Sequence, residues 1–195
     1  MKKKAVSVLL AGLIIGMLPS QAFAYTAKQK AAIKPVKLFL SGAKTYNIRT
    51  MERQFYKKPS GMFFKAKKYT GNYIRHYNKK MLSYSIDSVK VKGSKATVTA
   101  YVMYPDAYEA FYRALDKNYF YLMDHLKTSD LAADKKFISY TKRYAKKYKI
   151  APDVKHVTFY VKKHGRYWKI SKKTKAITDV INANYETAFI DYYGY

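Results

Sequence analysis

Apolar side chains recur at helical spacing from residue 28 to about residue 57, where Ile33, Val36, Leu40 and Ala43 share one stripe and Met51 with Phe55 continues it after an offset. The pattern predicts one long helix with Pro35 in its first turns and Gly42 near its middle, stopped by Pro59, Ser60 and Gly61. Residues 62–81 are mixed: Phe63, Phe64, Tyr69, Tyr73, Ile74 and Tyr77 partly fit a second helix that Thr70, Gly71 and Asn72 interrupt. At Leu82 the period changes to two. Tyr84, Ile86, Val89 and Val91 mark one strand, and Lys92, Gly93 and Ser94 a turn. Ala96, Val98, Ala100 and Val102, alternating with Thr97, Thr99 and Tyr101, mark the second strand of a hairpin.

Pro105 ends the hairpin and Asp106 is placed to cap a helix, with Glu109 at its third position and the acids favoured by the positive helix end. Tyr108, Phe111, Leu115, Tyr119, Leu122 and Leu126 follow a three-four spacing through that helix. Thr128, Ser129 and Asp130 punctuate it, and a further helix is expected over residues 131–148, closed by residues 150–153. Residues 154–161 read as a third strand, Lys163, His164 and Gly165 as a turn, and residues 167–170, with the chain's one tryptophan, Trp168, as a fourth strand. Residues 175–190 predict a C-terminal amphipathic helix through Ile177, Val180, Ile181, Tyr185 and Phe189. The sum is an α+β fold: a curved antiparallel sheet of about four strands packed on a long N-terminal helix, with a two-helix insertion over about 106–149 between the hairpins and a helix at the C-terminus.

The first 24 residues carry an address. Met1 to Lys4 form a basic start, residues 5–18 a short apolar run that Pro19 breaks, and Ala22 and Ala24 supply the small residues a signal peptidase reads. The apolar run is shorter than the roughly 20 residues of a spanning helix. Cleavage is expected near Ala24, leaving one domain over residues 25–195 that is secreted or associated with the cell envelope. The sequence contains no cysteine, which excludes disulfides and a thioether-linked lipid. Its stability must come from an ordinary core, which a chain of this size can build.

Charge narrows the partners. The chain has 39 Lys plus Arg against 12 Asp plus Glu, and the expected cleavage removes three lysines and no acid. A balance so positive attracts polyanions over a Debye length. The acids concentrate elsewhere, since residues 106–130 hold five of them against Arg113, Lys117 and Lys127. Two stretches interleave cations with tyrosines, the mixture that meets a phosphate with an ammonium and a sugar or base face with a ring. They supply the candidate polyanion-binding set: Lys65, Lys67, Lys68, Lys79 and Lys80 in the first, and Lys142, Arg143, Lys146, Lys147 and Lys149 in the second. In the second stretch Tyr140, Tyr144 and Tyr148 form one helical stripe, expected to be half-buried, and Lys142, Lys146 and Lys149 another. The expected partner is an anionic cell-wall polymer or anionic lipid surface, with nucleic acid as an alternative.

The order of a long helix, a smaller helical element, the hairpin "SYSIDSVKVKGSKATVTAYVMYPD", a helical insertion and the hairpin "VKHVTFYVKKHGRYWKIS" resembles the secreted bacterial branch of the cone-shaped superfamily named after nuclear transport factor 2. That resemblance covers most of residues 28–171. It implies a sheet wrapped around helices, and in catalytic relatives an enclosed Asp or His base with a tyrosine donor; Asp87 with Tyr101 or Tyr84 would fill those roles here. On the pattern, Asp87 follows Ile86 on a strand and is expected to face solvent. His76, His125, His156 and His164 are scattered, so no metal is expected. No nucleophile motif or phosphate-cradling loop is present, and no cofactor is expected.

Overall fold

In β2 (Lys95–Asp106) every second side chain is buried, from Ala96 through Val98, Ala100 and Val102 to Tyr104, while Thr97, Thr99, Tyr101 and Met103 point the other way and are half-buried. Such a strand has one face for a core and one for water. β1 (Ser83–Lys92), β3 (Ala151–His164) and β4 (Tyr167–Ile170) complete a curved antiparallel sheet in the order β1-β2-β3-β4. The computed structural model describes residues 25–59 and 68–194; the expected signal segment and residues 60–67, with Lys65 and Lys67, lie outside the described residues. Among the described residues the sheet is accompanied by seven helices, so the fold is α+β.

The inner face of the sheet is covered by α1 (Ala27–Lys44), α2 (Ile48–Glu52) and, C-terminal to the sheet, α6 (Lys175–Asn182). Ile33, Val36, Phe39 and Leu40 of α1 share one buried cluster with Val98, Phe159, Trp168 and Ile170 of the sheet. Phe39 meets Phe55 and Phe159 edge-on, with centroids 5.6 and 5.7 Å apart. A second core lies among α3 (Lys68–Met81), α4 (Tyr108–Asp124), α5 (Asp130–Tyr148) and α7 (Tyr185–Tyr193), built from Ile74, Phe111, Leu115, Phe137 and Ile138. Phe111 stacks on Phe137 at 6.0 Å. Between the two cores sits Asn78, fully buried, whose amide donates to the carbonyl of Ala43 at 3.0 Å and to that of Ile181 at 2.7 Å.

Five expectations change. The long N-terminal helix stops at Lys44, because Tyr46 adopts a left-handed φ of 50° and the N–H of Asn47 closes back on the Gly42 carbonyl at 2.8 Å. The Asn47 side chain then caps α2 through Thr50 N–H, and α2 folds back so tightly that a Cβ on Gly42 would lie 3.1 Å from side-chain carbons of Thr50 and Met51. Pro35 consequently lies two turns into α1, where the residue whose carbonyl it leaves unpaired, Ala31, is exposed. In α3, Thr70, Gly71 and Asn72 do not interrupt the helix, because Thr70 and Gly71 fall in its first turn, where N–H groups need partners from outside the helix, and Asn72 directly follows it.

The other three changes concern junctions. Asp106 is the last residue of β2, opposite Ala151, and Ala107 occupies the cap of α4; Asp106 Oδ1 still accepts from Tyr108 N–H at 3.0 Å, while Glu109 pairs with Arg113 at 2.8 Å instead of closing a capping box. Residues 151–153 do not end a helix but begin β3, with Pro152 opposite Pro105. The C-terminal helix is split at Ala183 and Asn184, both left-handed, which lets the Ala183 carbonyl accept from Ala107 N–H and the Asn184 amide donate to Asp106 at 2.7 Å. Tertiary bonds to the start of α4 outweigh the continuous amphipathic pattern.

Trp168 is 8% exposed on β4 within the cluster that includes α1, so Trp168→Ala should cost about 3 to 5 kcal/mol, read as a shift in the urea unfolding midpoint. An unchanged midpoint would mean that the indole contributes nothing to this core.

Buried phenols make a second expectation. Burial raises the pKa of Tyr46, Tyr73 and Tyr104 above the usual phenol value of 10.0 and pushes Tyr185 up to about 12. The fold therefore favours the neutral phenols, and their contribution is complete below the unfolded pKa and is lost as pH climbs toward the folded values. Stability should fall steeply above about pH 10, with exposed tyrosines such as Tyr160 and Tyr167 ionising first and the remaining tyrosinate absorbance appearing together with unfolding. Tyrosinate absorbance that rises fully at pH 10 while the fold stays intact would contradict the burial.

Candidate functional site

α4 and α5 lie side by side as a helical hairpin, and the position of α5 is set by a carboxylate. Asp134, 3% exposed, accepts from the N–H groups of Tyr69 at 2.6 Å and Thr70 at 3.2 Å and from the Thr70 hydroxyl at 2.6 Å. These donors belong to the first turn of α3, so a side chain of α5 caps another helix and meets its positive end with a full negative charge. At the start of α5 itself, Ser129 Oγ accepts from Ala132 N–H. The Phe111 and Phe137 stack then holds α4 against α5.

On the outer side of this pair a cleft of about 300 Å³ opens, lined by Lys117 of α4 and by Tyr140, Arg143, Tyr144 and Lys147 of α5. The four α5 residues are spaced three, one and three apart, which puts them on one helical face. Tyr140 and Tyr144 are half-buried and the three cations exposed. Further cations cover the rings nearby: Lys136 Nζ stands 5.3 Å from the Tyr140 ring centre and 4.8 Å from that of Tyr121, and Lys147 Nζ 5.2 Å from Tyr148. No carboxylate lines the cleft. Asp116, the residue before Lys117, acts instead on Tyr192 of α7. The result is a pocket with aromatic walls and a cationic rim, suited to a phosphate or carboxylate attached to an apolar or sugar face.

The candidate set is only partly brought together. Arg143 and Lys147 converge in the cleft, whereas Lys142 and Lys146 are exposed and outside its lining. Lys149, left-handed at φ 47°, lines a separate cavity of about 280 Å³ with Asp106, Glu109 and Asp153, an acidic neighbourhood for a supposed anion ligand. Lys68 begins α3 near the Tyr69 ring, and Lys79 and Lys80 end α3, where cations suit the negative helix end. Tyr140 and Tyr144 meet the half-buried expectation, and Tyr148 is 37% exposed. Lys117 is the cleft residue that the charge clusters do not point to. It stands in the acid-rich stretch 106–130, and only the pairing of α4 with α5 turns it toward Arg143.

The alternative catalytic pair does not form an enclosed site. Asp87 sits in a bulge between Ile86 and Ser88 with its side chain 51% exposed, 3.8 Å from His156, on the sheet face away from the core. Tyr84 donates to the Lys37 carbonyl at 3.2 Å. Among the described residues no group of three or more His, Cys, Asp or Glu side chains comes together, and no helix is long and apolar enough to cross a membrane. The three-four stripe expected to run through Leu122 to Leu126 stops at Asp124, where α4 ends; Leu126 is 83% exposed, and Phe120, Met123 and Leu131 are exposed as well.

No protein-family model matches this chain, and no curated protein does. Among solved structures, a Bacillus subtilis protein provisionally described as a lipoprotein, YcdA, aligns at a TM-score of 0.33 and 19% identity over 74% of this chain and 44% of that one. A likeness of that size carries no argument about fold or function, and the chain spans less than half of the protein it matches.

The cap on α3 has a measurable consequence for the hairpin. Asp134→Ala should destabilise the protein by about 3 kcal/mol or more, since charge-assisted hydrogen bonds are each worth about 1.5 to 3 kcal/mol. Asp134→Asn, which keeps an acceptor oxygen but not the charge, should lose less; an undiminished stability in Asp134→Asn would show that the charge is irrelevant to the cap, and a loss equal to that of Asp134→Ala that the charge carries all of it.

Proposed function

We propose that this chain is an exported, non-catalytic protein that binds anionic polymers of the cell envelope through its basic surface. The observation that carries the reading is the cleft between α4 and α5, where Lys117, Arg143 and Lys147 surround Tyr140 and Tyr144 without a carboxylate in the lining. Mechanistically, the cations meet the anionic groups of the polymer while the phenol rings cover its less polar linkers. Each cation near an anionic surface contributes on the order of 1 kcal/mol, so a few facing one way hold the protein without a covalent anchor. Export follows from the basic, apolar and small-residue regions of residues 1–24, with cleavage after Ala24. The order of helix, hairpin, helical pair and hairpin supports membership of the secreted branch of the nuclear-transport-factor-2-like superfamily.

The test combines address and binding. N-terminal sequencing of protein recovered outside the cytoplasm should begin at Tyr25. Purified protein should bind anionic wall material, and added salt should release it, because exposed charges act over only about 8 Å at physiological ionic strength. Neutralising Lys117, Arg143 and Lys147 together should weaken binding by about a hundredfold, taking about 1 kcal/mol per cation. Neutralising the exposed lysines of α1, Lys34, Lys37 and Lys44, should weaken it far less. Equal losses would show that net charge alone acts. Binding that survives molar salt would assign it to something other than the basic surface, and a preference for anionic vesicles or single-stranded DNA over wall polymer would assign a different partner.

A further inference from the structure

The outward face of the sheet carries a feature that the charge clusters along the chain do not reveal. Lys92 of β1 lies opposite Lys95 of β2, Lys95 opposite Lys162 of β3, and Lys162 opposite Lys169 of β4. Four lysines therefore stand in one row across all four strands. The matching inner row, Val91, Ala96, Val161 and Ile170, belongs to the core, so the alternation of the strands turns every lysine of the row outward. At about 4.8 Å between strands the row is about 14 Å long. Lys92, Lys95 and Lys162 are exposed; Lys169 is half-buried, its ammonium donating to the Arg53 carbonyl.

Like charges directly opposite one another across a sheet destabilise it, and here three successive pairs do so. Among the described residues no carboxylate forms an ion pair with any of the four. On one side the neighbouring row is Lys90, Thr97 and Tyr160, and the next is Ser88, Thr99 and Thr158, which adds a further cation and a patch of hydroxyl donors; on the other side His164 lies opposite Tyr167. Asp87, the acid of this face, lies beyond those rows beside His156.

We propose that this face is a second binding surface, separate from the helical cleft, for a linear polyol phosphodiester chain of the envelope laid across the strands along Lys92, Lys95, Lys162 and Lys169. The proposal rests on the envelope reading and names its ligand chemistry. Ammonium groups are compact point charges suited to single phosphates, and hydroxyls beside them suit the alcohol linkers of such a chain. The row is one residue wide, which fits a thread. A membrane would need aliphatic residues to enter it, and none stands in the row or in the neighbouring one. Nucleic acid would need a ring for each base, whereas the row itself holds no aromatic residue, the rings that flank it, Tyr160 on one side and Tyr167 on the other, stand only at its β3 and β4 end, and Tyr101 is engaged edge-on with His156 at 5.3 Å.

The experiment measures binding of synthetic oligo(glycerol phosphate) to the purified protein as a function of salt. Replacing both central lysines, Lys95→Gln with Lys162→Gln, should lower affinity at least about tenfold and make the slope of log affinity against log salt shallower by about 1.4, since each phosphate that is no longer neutralised removes about 0.7 from it. The same pair should leave the melting temperature of the free protein unchanged or raise it, because repulsion is removed, which a purely structural role would not do. Lys95→Arg with Lys162→Arg should retain binding, and the single change Lys92→Gln at the row's exposed end should shift the slope by about 0.7. An unchanged affinity and slope in the glutamine pair overturns the proposal, as does a ladder-dependent preference for single-stranded DNA or anionic vesicles over the oligomer. Loss of binding in Arg143→Gln with Lys147→Gln but not in the ladder pair leaves the envelope reading standing and removes this one; no binding of wild-type protein to oligomer or wall material removes both.

Discussion

A single buried amide joins the two halves of this protein. Asn78 on α3 has two N–H donors and spends them on carbonyls at the last turns of α1 and α6, where carbonyls lack the N–H partners of a continuing helix; that of Ala43 also accepts from Tyr46 N–H at 3.0 Å. No water is needed to satisfy those carbonyls, so the ends of two sheet-covering helices can be sealed under a third. The arrangement fixes α3 to the sheet layer. From α3 the constraint passes outward, since Asp134 ties α5 to the first turn of α3 and the aromatic stack ties α4 to α5. The cleft between α4 and α5 thus inherits its position from an asparagine that is not part of it.

The scarcity of acids has a structural as well as an electrostatic meaning. Several of those present are committed to internal work: Asp134 caps α3, Asp179 is 3% exposed and holds Lys155 and Lys175 at 3.1 Å, Asp153 accepts from Tyr104, and Asp106 from Asn184. Carboxylates turned inward do not neutralise lysines on the outside. The external field is accordingly more positive where it matters than an even mixing of charges would make it, in both the helical cleft and the lysine row. Two surfaces of similar chemistry but different shape result: one pairs rings with cations in a concavity, and the other presents cations and hydroxyls on a flat sheet.

Both β-hairpins were legible in the sequence because alternation with a period of two survives any choice of partner. Val89, Val98, Val102, Phe159 and Ile170 all reach the core as the pattern requires. The long helix was not legible to its end, although Asn47 is a strong capping residue, because the apolar stripe resumes at Met51 and masks the turn. Tyr46 in a left-handed conformation has no warning in its residue type. The same holds at Ala183, where a bond from Ala107, 76 positions earlier in the chain, decides the break.

What the sequence determined by itself is the set of local periods, the α+β class and an excess of positive charge, each of which depends on neighbours a few residues apart. What the tertiary structure alone decided is which charges share a surface. Lys117 joins Arg143 and Lys147 only because two helices pack, and Lys92, Lys95, Lys162 and Lys169 form a row only because three strand registers align. Lys149 resembles its neighbours in sequence, yet a left-handed turn delivers it to an acidic cavity. Charge clusters along a chain record spacing in sequence, whereas electrostatic attraction depends on spacing in space, and the strand register and helix pairing convert one into the other.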